Sequence, residues 1–535
     1  MRARATGLPV AEVDEELANE RAVRRIGLVT LAVTTFVGLG AAPVGAAATN
    51  YRAAGTPIAP GDWPTYGHDA QHTFDGRTTI TPDTASGLGR AWFFPTGDAV
   101  TATPTVVAGT VYVGSWDTRF YAIDFATGQP RWQFQLDPQP KVEPQPGEVP
   151  RPFDSDGGMV TSSAWFEPGS GKRPDLVIFG GGYTLYALRA ADGSVYWKHA
   201  YPGRPDQPID RTKDGTRIFS SPVVVDGKVI IGTDVDGDRG RRGYVLAASL
   251  KTGKPVWVRE TDVDGKGHVL NDGCGDVWSS GTLLPKAGLV VFDVADCHFA
   301  YPPPLSETVI ALRVRDGGIA WTYRPERNDT HCDFDFGATA NAGLSHDGTA
   351  NFLGLGGKEG TYYSLDPATG KQRWNTNLVF GGFSGGFIAA AAYDGRRVYG
   401  SAAIGDFGRF AGESGASILC NPSDPRDQQM QEPSAHAFDA RTGKVVWQAD
   451  QSAAFGPTTV AGGLTFHGVA LRAVLQVRRA DTGELVSELP LEAPCWSGVA
   501  TVGNAIVFGT GASQQGSPDG VLAYTPAGTP PVVPS

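Results

Sequence analysis

One short pattern recurs along the chain and limits what the chain can become. It reads FYAIDFATGQPRW at Phe120–Trp132, LYALRAADGSVYW at Leu185–Trp197, VLAASLKTGKPVW at Val245–Trp257 and VIALRVRDGGIAW at Val309–Trp321. It returns as YYSLDPATGKQRW at Tyr362–Trp374 and AHAFDARTGKVVW at Ala435–Trp447. A worn copy, LQVRRADTGELVS, ends on Ser487 where a tryptophan would stand, and a fragment, VLAYTPAG, begins at Val521. Each copy predicts a strand, a tight turn at the glycine, and a second strand ending on a large aromatic residue. Repetition on this scale means copies of one supersecondary unit packed side by side.

A second signature lies upstream of each copy: a polar start, a small residue before Pro or another small residue, a β-branched run, a Gly turn and a further apolar run. TATPTVVAGTVYVGSWD (Thr101–Asp117) and SSPVVVDGKVIIGTD (Ser220–Asp234) show it most clearly. Joined to the hairpin, it gives four antiparallel strands per unit, A to D, which is a propeller blade. Eight A–B pairs are legible but only seven complete C–D pairs. Arg90-Ala91-Trp92-Phe93-Phe94 has the Trp-x-Phe look of Arg131-Trp132-Gln133-Phe134 and supplies the missing D strand from the other end of the chain. The expected fold is therefore all-β, an eight-bladed β-propeller over residues 62–524 whose ring is closed by the N-terminal strand, which removes two exposed edges. Residues 49–61 read as a linker and 525–535 as a Pro-rich tail.

Loop length then separates two faces. The A–B turns at Ala108-Gly109, Asp226-Gly227 and Asp394-Gly395, and the C–D turns at Thr127-Gly128 and Thr252-Gly253, are minimal. The long insertions, Asp137–Met159, His199–Arg217, Cys297–Ser306, Tyr323–Asp335 and Ile404–Ser434, all fall in D–A or B–C connections. These share one face of an up-and-down blade, and all five cysteines fall there too. Long loops on a rigid scaffold are where binding and catalysis concentrate. Ile404–Ser434 is the expected substrate lid.

Composition closes off other classes. Gly (71) and Pro (39) are abundant and charged residues make up 19% of the chain, as in a turn-rich β protein. A formal net charge of -11 supplies no basic stripe for nucleic acid. The sequence contains no CxxC or CxxCH, which excludes zinc-ribbon and c-type haem readings. Arg21, Arg24 and Arg25, the apolar run Ile26–Ala42 and the small residues Val44–Ala48 make residues 1–48 an export signal or an uncleaved membrane anchor. Either way the remainder is expected outside the cytoplasm, secreted or tethered to the outer side of the membrane.

The repeats in the form Ala-x-Asp-x-x-Thr-Gly-x-x-x-Trp resemble the propellers of pyrroloquinoline-quinone (PQQ) alcohol dehydrogenases. DWPTYGHDAQHT (Asp62–Thr73) and GKEGTYYSLDPATG (Gly357–Gly370) look most like the polyvinyl-alcohol dehydrogenase branch. The resemblance implies PQQ and Ca²⁺ as cofactors and an alcohol, small or polymeric, as substrate. It places Trp278 under the quinone ring, where a flat cofactor finds a flat π surface; the plainer role for Trp278 is packing between blades. It places Asp238, in GDRGRRGYV, and Asp296, in VVFDVAD, at the two metal-ligand positions, and hard oxygens suit Ca²⁺; as an ordinary residue Asp238 would be a solvated turn acid. It places Lys358 beside the reactive carbonyl of the quinone, where a cation stabilises developing negative charge; otherwise Lys358 is a surface residue pairing with Glu359.

Departures from the pattern are equally informative. The family's catalytic Asp before strand C of blade four is absent from AYPPPLSETVIAL (Ala300–Leu312), where Glu307 is the nearest acid and His298 the nearest imidazole. Glu307 is the candidate base. The disulfide between adjacent cysteines of the methanol-oxidising branch is missing; Cys274 and Cys297 flank the site and are candidates to pair, with Cys332 as another partner. Without a haem motif, electrons would leave to a separate cytochrome or other acceptor. Two functions are thus expected to compete: a PQQ- and Ca²⁺-dependent alcohol dehydrogenase, and a non-catalytic propeller that binds a protein or polymer through its loop-rich face.

Overall fold

The computed structural model describes residues 55–138, 159–201, 217–234, 243–270, 274–295, 303–325, 334–379, 381, 385–403, 432–470, 472–511 and 519–533. Among them the chain is almost wholly β. Six antiparallel four-stranded sheets follow one another, and a nine-stranded sheet joins two further groups of four through the short strand Asp75–Thr78. The export segment, the Ile404–Ser434 loop apart from its last three residues, Asp238, Asp296, Cys297, Cys332 and Cys420 lie outside the described residues.

The repeat explains itself residue by residue. In the first sheet, strands Arg119–Asp124 and Pro130–Gln135 pair with a register shift at Ala122/Ile123. Asp124 at the turn accepts bonds from the backbone N–H (2.9 Å) and hydroxyl (2.8 Å) of Thr127, a side-chain turn that pre-forms the bend. Gly128 then adopts φ +69°. Asp366 with Thr369 and Asp439 with Thr442 repeat the arrangement. The Asp, Thr and Gly are thus all turn chemistry.

The terminal tryptophan is the joint between sheets. Trp132 Nε1 donates to the Ala190 carbonyl of the next sheet (3.0 Å), and the same bond runs from Trp197 to Leu250, Trp257 to Val314, Trp321 to Pro367, Trp374 to Ala440 and Trp447 to Ala480. Each indole lies over the turn glycine of the sheet it reaches: a Cβ at Gly193 would meet Trp132 at 2.6 Å. Trp92, on strand Leu88–Pro95, makes the same bond to Phe125. That strand pairs antiparallel with Gly520–Pro526, uniting the two ends of the chain in one sheet.

Ser487 leaves one joint without its indole. There Asp75–Thr78 pairs in parallel with strands of both neighbours, Asp75 with Val460 and Arg77 with Val502. Backbone hydrogen bonding therefore links the two sheets that lack a tryptophan between them.

Residues 63–79 have a further role. Trp63 bonds Val106, Pro64 accepts from Phe166, Ala70 from Leu283, Gln71 from Ala342, Thr73 from Tyr393 and Phe74 from Val460, before Thr79 donates to Gly503. The segment thus visits the first strands of the sheets in chain order, passing over the third, at the end where the A–B turns lie. His72 holds it with ring nitrogens 2.9 and 3.0 Å from the Tyr66 and Gly281 carbonyls. Trp63 and Phe74, fully buried, join Val106, Val460 and Val502 in one core cluster. The DWPTYGHDAQHT run is an internal clasp, and the opposite ends of the first strands are left for the site.

Candidate active site

Trp278 stands just before strand Thr282–Leu284, at the end away from the clasp. Its neighbours are fixed from three sides. Val277 N–H donates to the Thr233 carbonyl (2.9 Å), Ser279 Oγ bridges the backbone of Asp293 (3.0 and 3.1 Å), and Ser280 N–H donates to Thr339 Oγ1 (3.0 Å). The indole is partly exposed and spans toward the next sheet, where a Cβ at Gly337 would lie 2.6 Å from its Cη2 atom. The glycine is required by this close approach, since any side chain would displace the ring. Unlike the repeat tryptophans, Trp278 ends no D strand.

Lys358 follows strand Ala350–Gly356. Its N–H donates to the Asp335 carbonyl at 2.9 Å, and its Nζ lies 3.0 Å from Asp335 Oδ1, with both side chains buried. The ammonium is also 5.6 Å from the centroid of the Trp278 ring, within reach of the attraction between a cation and an aromatic face. The surface pairing with Glu359 is replaced by this inward geometry; Glu359 instead accepts from the Tyr363 hydroxyl. Trp278 and Lys358, eighty residues apart in sequence, are therefore brought together.

Two acids that the sequence did not single out share the site. Asp335 holds Lys358. Asp293, on strand Leu289–Val294, is 1% exposed, and neither carboxyl oxygen has a hydrogen-bond partner. Burial first, and the nearby Asp335 second, push its pKa well above the usual carboxylate range. The signal for Asp293 was a charged residue inside VVFDV, an otherwise apolar strand. Asp335 carried no signal, because it sits among other acids and aromatics in HCDFDFG.

Glu307 is also buried, directly before strand Thr308–Arg313, with φ +54°. Its N–H donates to Ala295 (3.0 Å), and its Oε2 accepts from Arg324 at 3.3 Å. This places its backbone beside the end of the strand leading to Asp296 and its carboxylate against an arginine at the end of the outer strand. Cys274, fully buried, is disulfide-bonded, and Cys495 is a free buried thiol. Among the described residues no group of three metal-ligating side chains occurs; the expected ligands Asp238 and Asp296 lie outside them.

Residues 63–378 match the family model for the glucose/ethanol/alcohol dehydrogenase β-propeller domain, and residues 358–523 match that for the outer membrane protein assembly factor BamB. The polyvinylalcohol dehydrogenase of Sphingopyxis sp. is 23% identical over 395 residues, 66% of this chain and 54% of the relative. The quinohemoprotein alcohol dehydrogenase ADH-IIG of Pseudomonas putida is 28% identical over 348 residues, 58% of this chain and 45% of the relative. The chain thus spans about half the length of these curated relatives. Among solved structures, ADHIIG from Pseudomonas putida superposes with a TM-score of 0.67 at 20% identity, covering 89% of this chain and 82% of that one. BamB from Moraxella catarrhalis gives 0.51 at 14% identity, covering 82% of this chain and 97% of that one.

Proposed function

The chain belongs to the PQQ-dependent alcohol dehydrogenase-like family of β-propellers, and from that premise we propose that it oxidises an alcohol with PQQ as the resident cofactor. The observation that carries this reading is the ammonium of Lys358, 5.6 Å from the Trp278 ring and anchored by Asp335. A planar quinone needs a flat surface and a cation near its carbonyl oxygen, and this pair offers both. When bound, PQQ supplies a two-electron hydride acceptor. Trp278 would carry the ring, Gly337 would keep the indole in place, and Lys358 would orient the carbonyl edge.

In this proposal Asp238 and Asp296 hold a Ca²⁺, which would act as a Lewis acid. Glu307 takes the substrate hydroxyl proton, and Arg324 donates to its carboxylate and orients it. Eight blades form the ring, closed where Leu88–Pro95 pairs with Gly520–Pro526. Residues 1–48 export the chain, cleaved or kept as an anchor, and a separate cytochrome or other acceptor removes the electrons. A polymeric alcohol is the favoured substrate, given the polyvinylalcohol dehydrogenase among the relatives.

The competing reading, a non-catalytic propeller that binds a protein or polymer, draws on the BamB match over residues 358–523. Titrating purified protein with PQQ and Ca²⁺ separates the two. Quinone absorbance retained after desalting by the wild type, and lost in Trp278→Ala and Lys358→Met, supports the dehydrogenase. Retention no greater in the wild type than in those variants removes it.

A further inference from the structure

Three ionisable groups meet between the fourth and fifth sheets, and their charges do not balance if all are ionised. Lys358 carries one positive charge, and Asp335, 3.0 Å away, carries the negative charge that matches it. Asp293 is the third group. Its side chain is sealed from solvent, and no N–H or O–H reaches either oxygen. The Ser279 hydroxyl is committed to the Asp293 main chain. The neighbouring phenol of Tyr362 is itself fully buried, donates to Asn341 Oδ1 at 3.0 Å, and is pushed up by burial and by Asp293. A buried carboxylate without donors, beside a second carboxylate paired with Lys358, is a costly state for such a side chain, and neutralisation relieves it.

We propose that Asp293 is held as an uncharged carboxylic acid, the neutral member of an Asp293–Asp335–Lys358 triad, and that its neutrality keeps Lys358 available to an anionic oxygen ligand on Trp278. With Asp293 neutral, the triad sums to zero charge, and a negative ligand oxygen meets an ammonium balanced by one carboxylate. With Asp293 ionised, the triad carries a net negative charge in a buried setting, where Coulomb repulsion is poorly screened, and would repel the same oxygen. Asp293 is thus a positioning residue that acts through Asp335 and Lys358. The ligand class is planar and anionic; its identification as PQQ, a tricarboxylate, rests on the function proposed above.

Two measurements test this separately. Infrared difference spectra of ligand-free wild type minus Asp293→Asn at pH 7 should show loss of a protonated-carboxyl C=O band. Loss of carboxylate bands instead overturns the proposal. Asp293→Leu provides the same subtraction should the asparagine variant fold poorly. In the second measurement, PQQ in the presence of Ca²⁺ is titrated against tryptophan fluorescence at pH 7. Asp293→Asn should bind within threefold of the wild type, since one neutral group replaces another. Binding strengthened tenfold or more would mean that a negative charge had been removed, and would also overturn it. If the C=O band is found but no variant binds PQQ, the dehydrogenase reading fails while the neutral Asp293 stands.

Discussion

The pair Lys358–Asp335 makes the sharpest stability prediction. Both side chains are nearly sealed, at 9% and 2% exposure, and the charged atoms are 3.0 Å apart. Asp335→Asn keeps the volume and the backbone carbonyl that accepts the Lys358 N–H, but leaves an ammonium buried without its counter-ion. Breaking a buried pair in this way costs about 3–5 kcal/mol. Lys358→Met leaves the opposite charge and should cost a similar amount. The double variant leaves neither charge, so its loss should be smaller than the sum of the singles by about 2 kcal/mol or more. Urea unfolding followed by tryptophan fluorescence supplies all four corners of the cycle. Additivity within about 0.5 kcal/mol would refute the claim that the two charges are coupled, and with it the argument that Asp335 positions Lys358.

Three further outcomes follow from other parts of the molecule. His436 and His467 are buried, with pKa values lowered to about 3, by burial in both and additionally by Arg478 in His467. Their stabilisation is complete above the unfolded value of about 6.5 and is lost as pH falls toward 3, so unfolding free energy should drop by about 2 kcal/mol per histidine between pH 7 and 5; an unchanged pH slope in the His436→Asn/His467→Asn variant would contradict this. Gly128→Ala forces φ +69° on an alanine and places its Cβ 2.7 Å from Trp92, for an expected loss of about 2–4 kcal/mol, whereas Gly227→Ala, at φ +70° with open space around it, should lose only about 1–2 kcal/mol; equal losses in denaturant titrations would remove the indole from the explanation. Glu307→Gln should lower kcat about 10²–10⁴-fold while leaving PQQ retention intact, and a variant with unchanged kcat would exclude Glu307 as the base.

What the sequence revealed and what it hid divide along a physical line. A repeat position is written many times, so its chemistry survives local exceptions: Asp124 and Thr127 shaping the turn, Gly128 at positive φ, and Trp132 crossing to Ala190 are all legible from the pattern. A site position is written once. Trp278 stood out because a tryptophan outside the D strand breaks the pattern, and Lys358 because the family resemblance marked it. Asp335 could not be seen, since its meaning lies in a contact with Lys358 that only the packing of neighbouring strands creates. Asp293 is the instructive intermediate. One acid among Val290, Val291, Phe292 and Val294 contradicts the strand around it, and a buried polar residue without a partner is more informative than any exposed one. The same logic applies at Ser487. Its departure from the repeat removes an indole joint, and the strand Asp75–Thr78 pairs with both sheets at that joint. In a chain built from copies, a broken copy therefore points either to chemistry or to a compensating contact. Burial distinguishes them: Asp293 is sealed without partners, whereas the gap beside Ser487 is bridged by backbone hydrogen bonds.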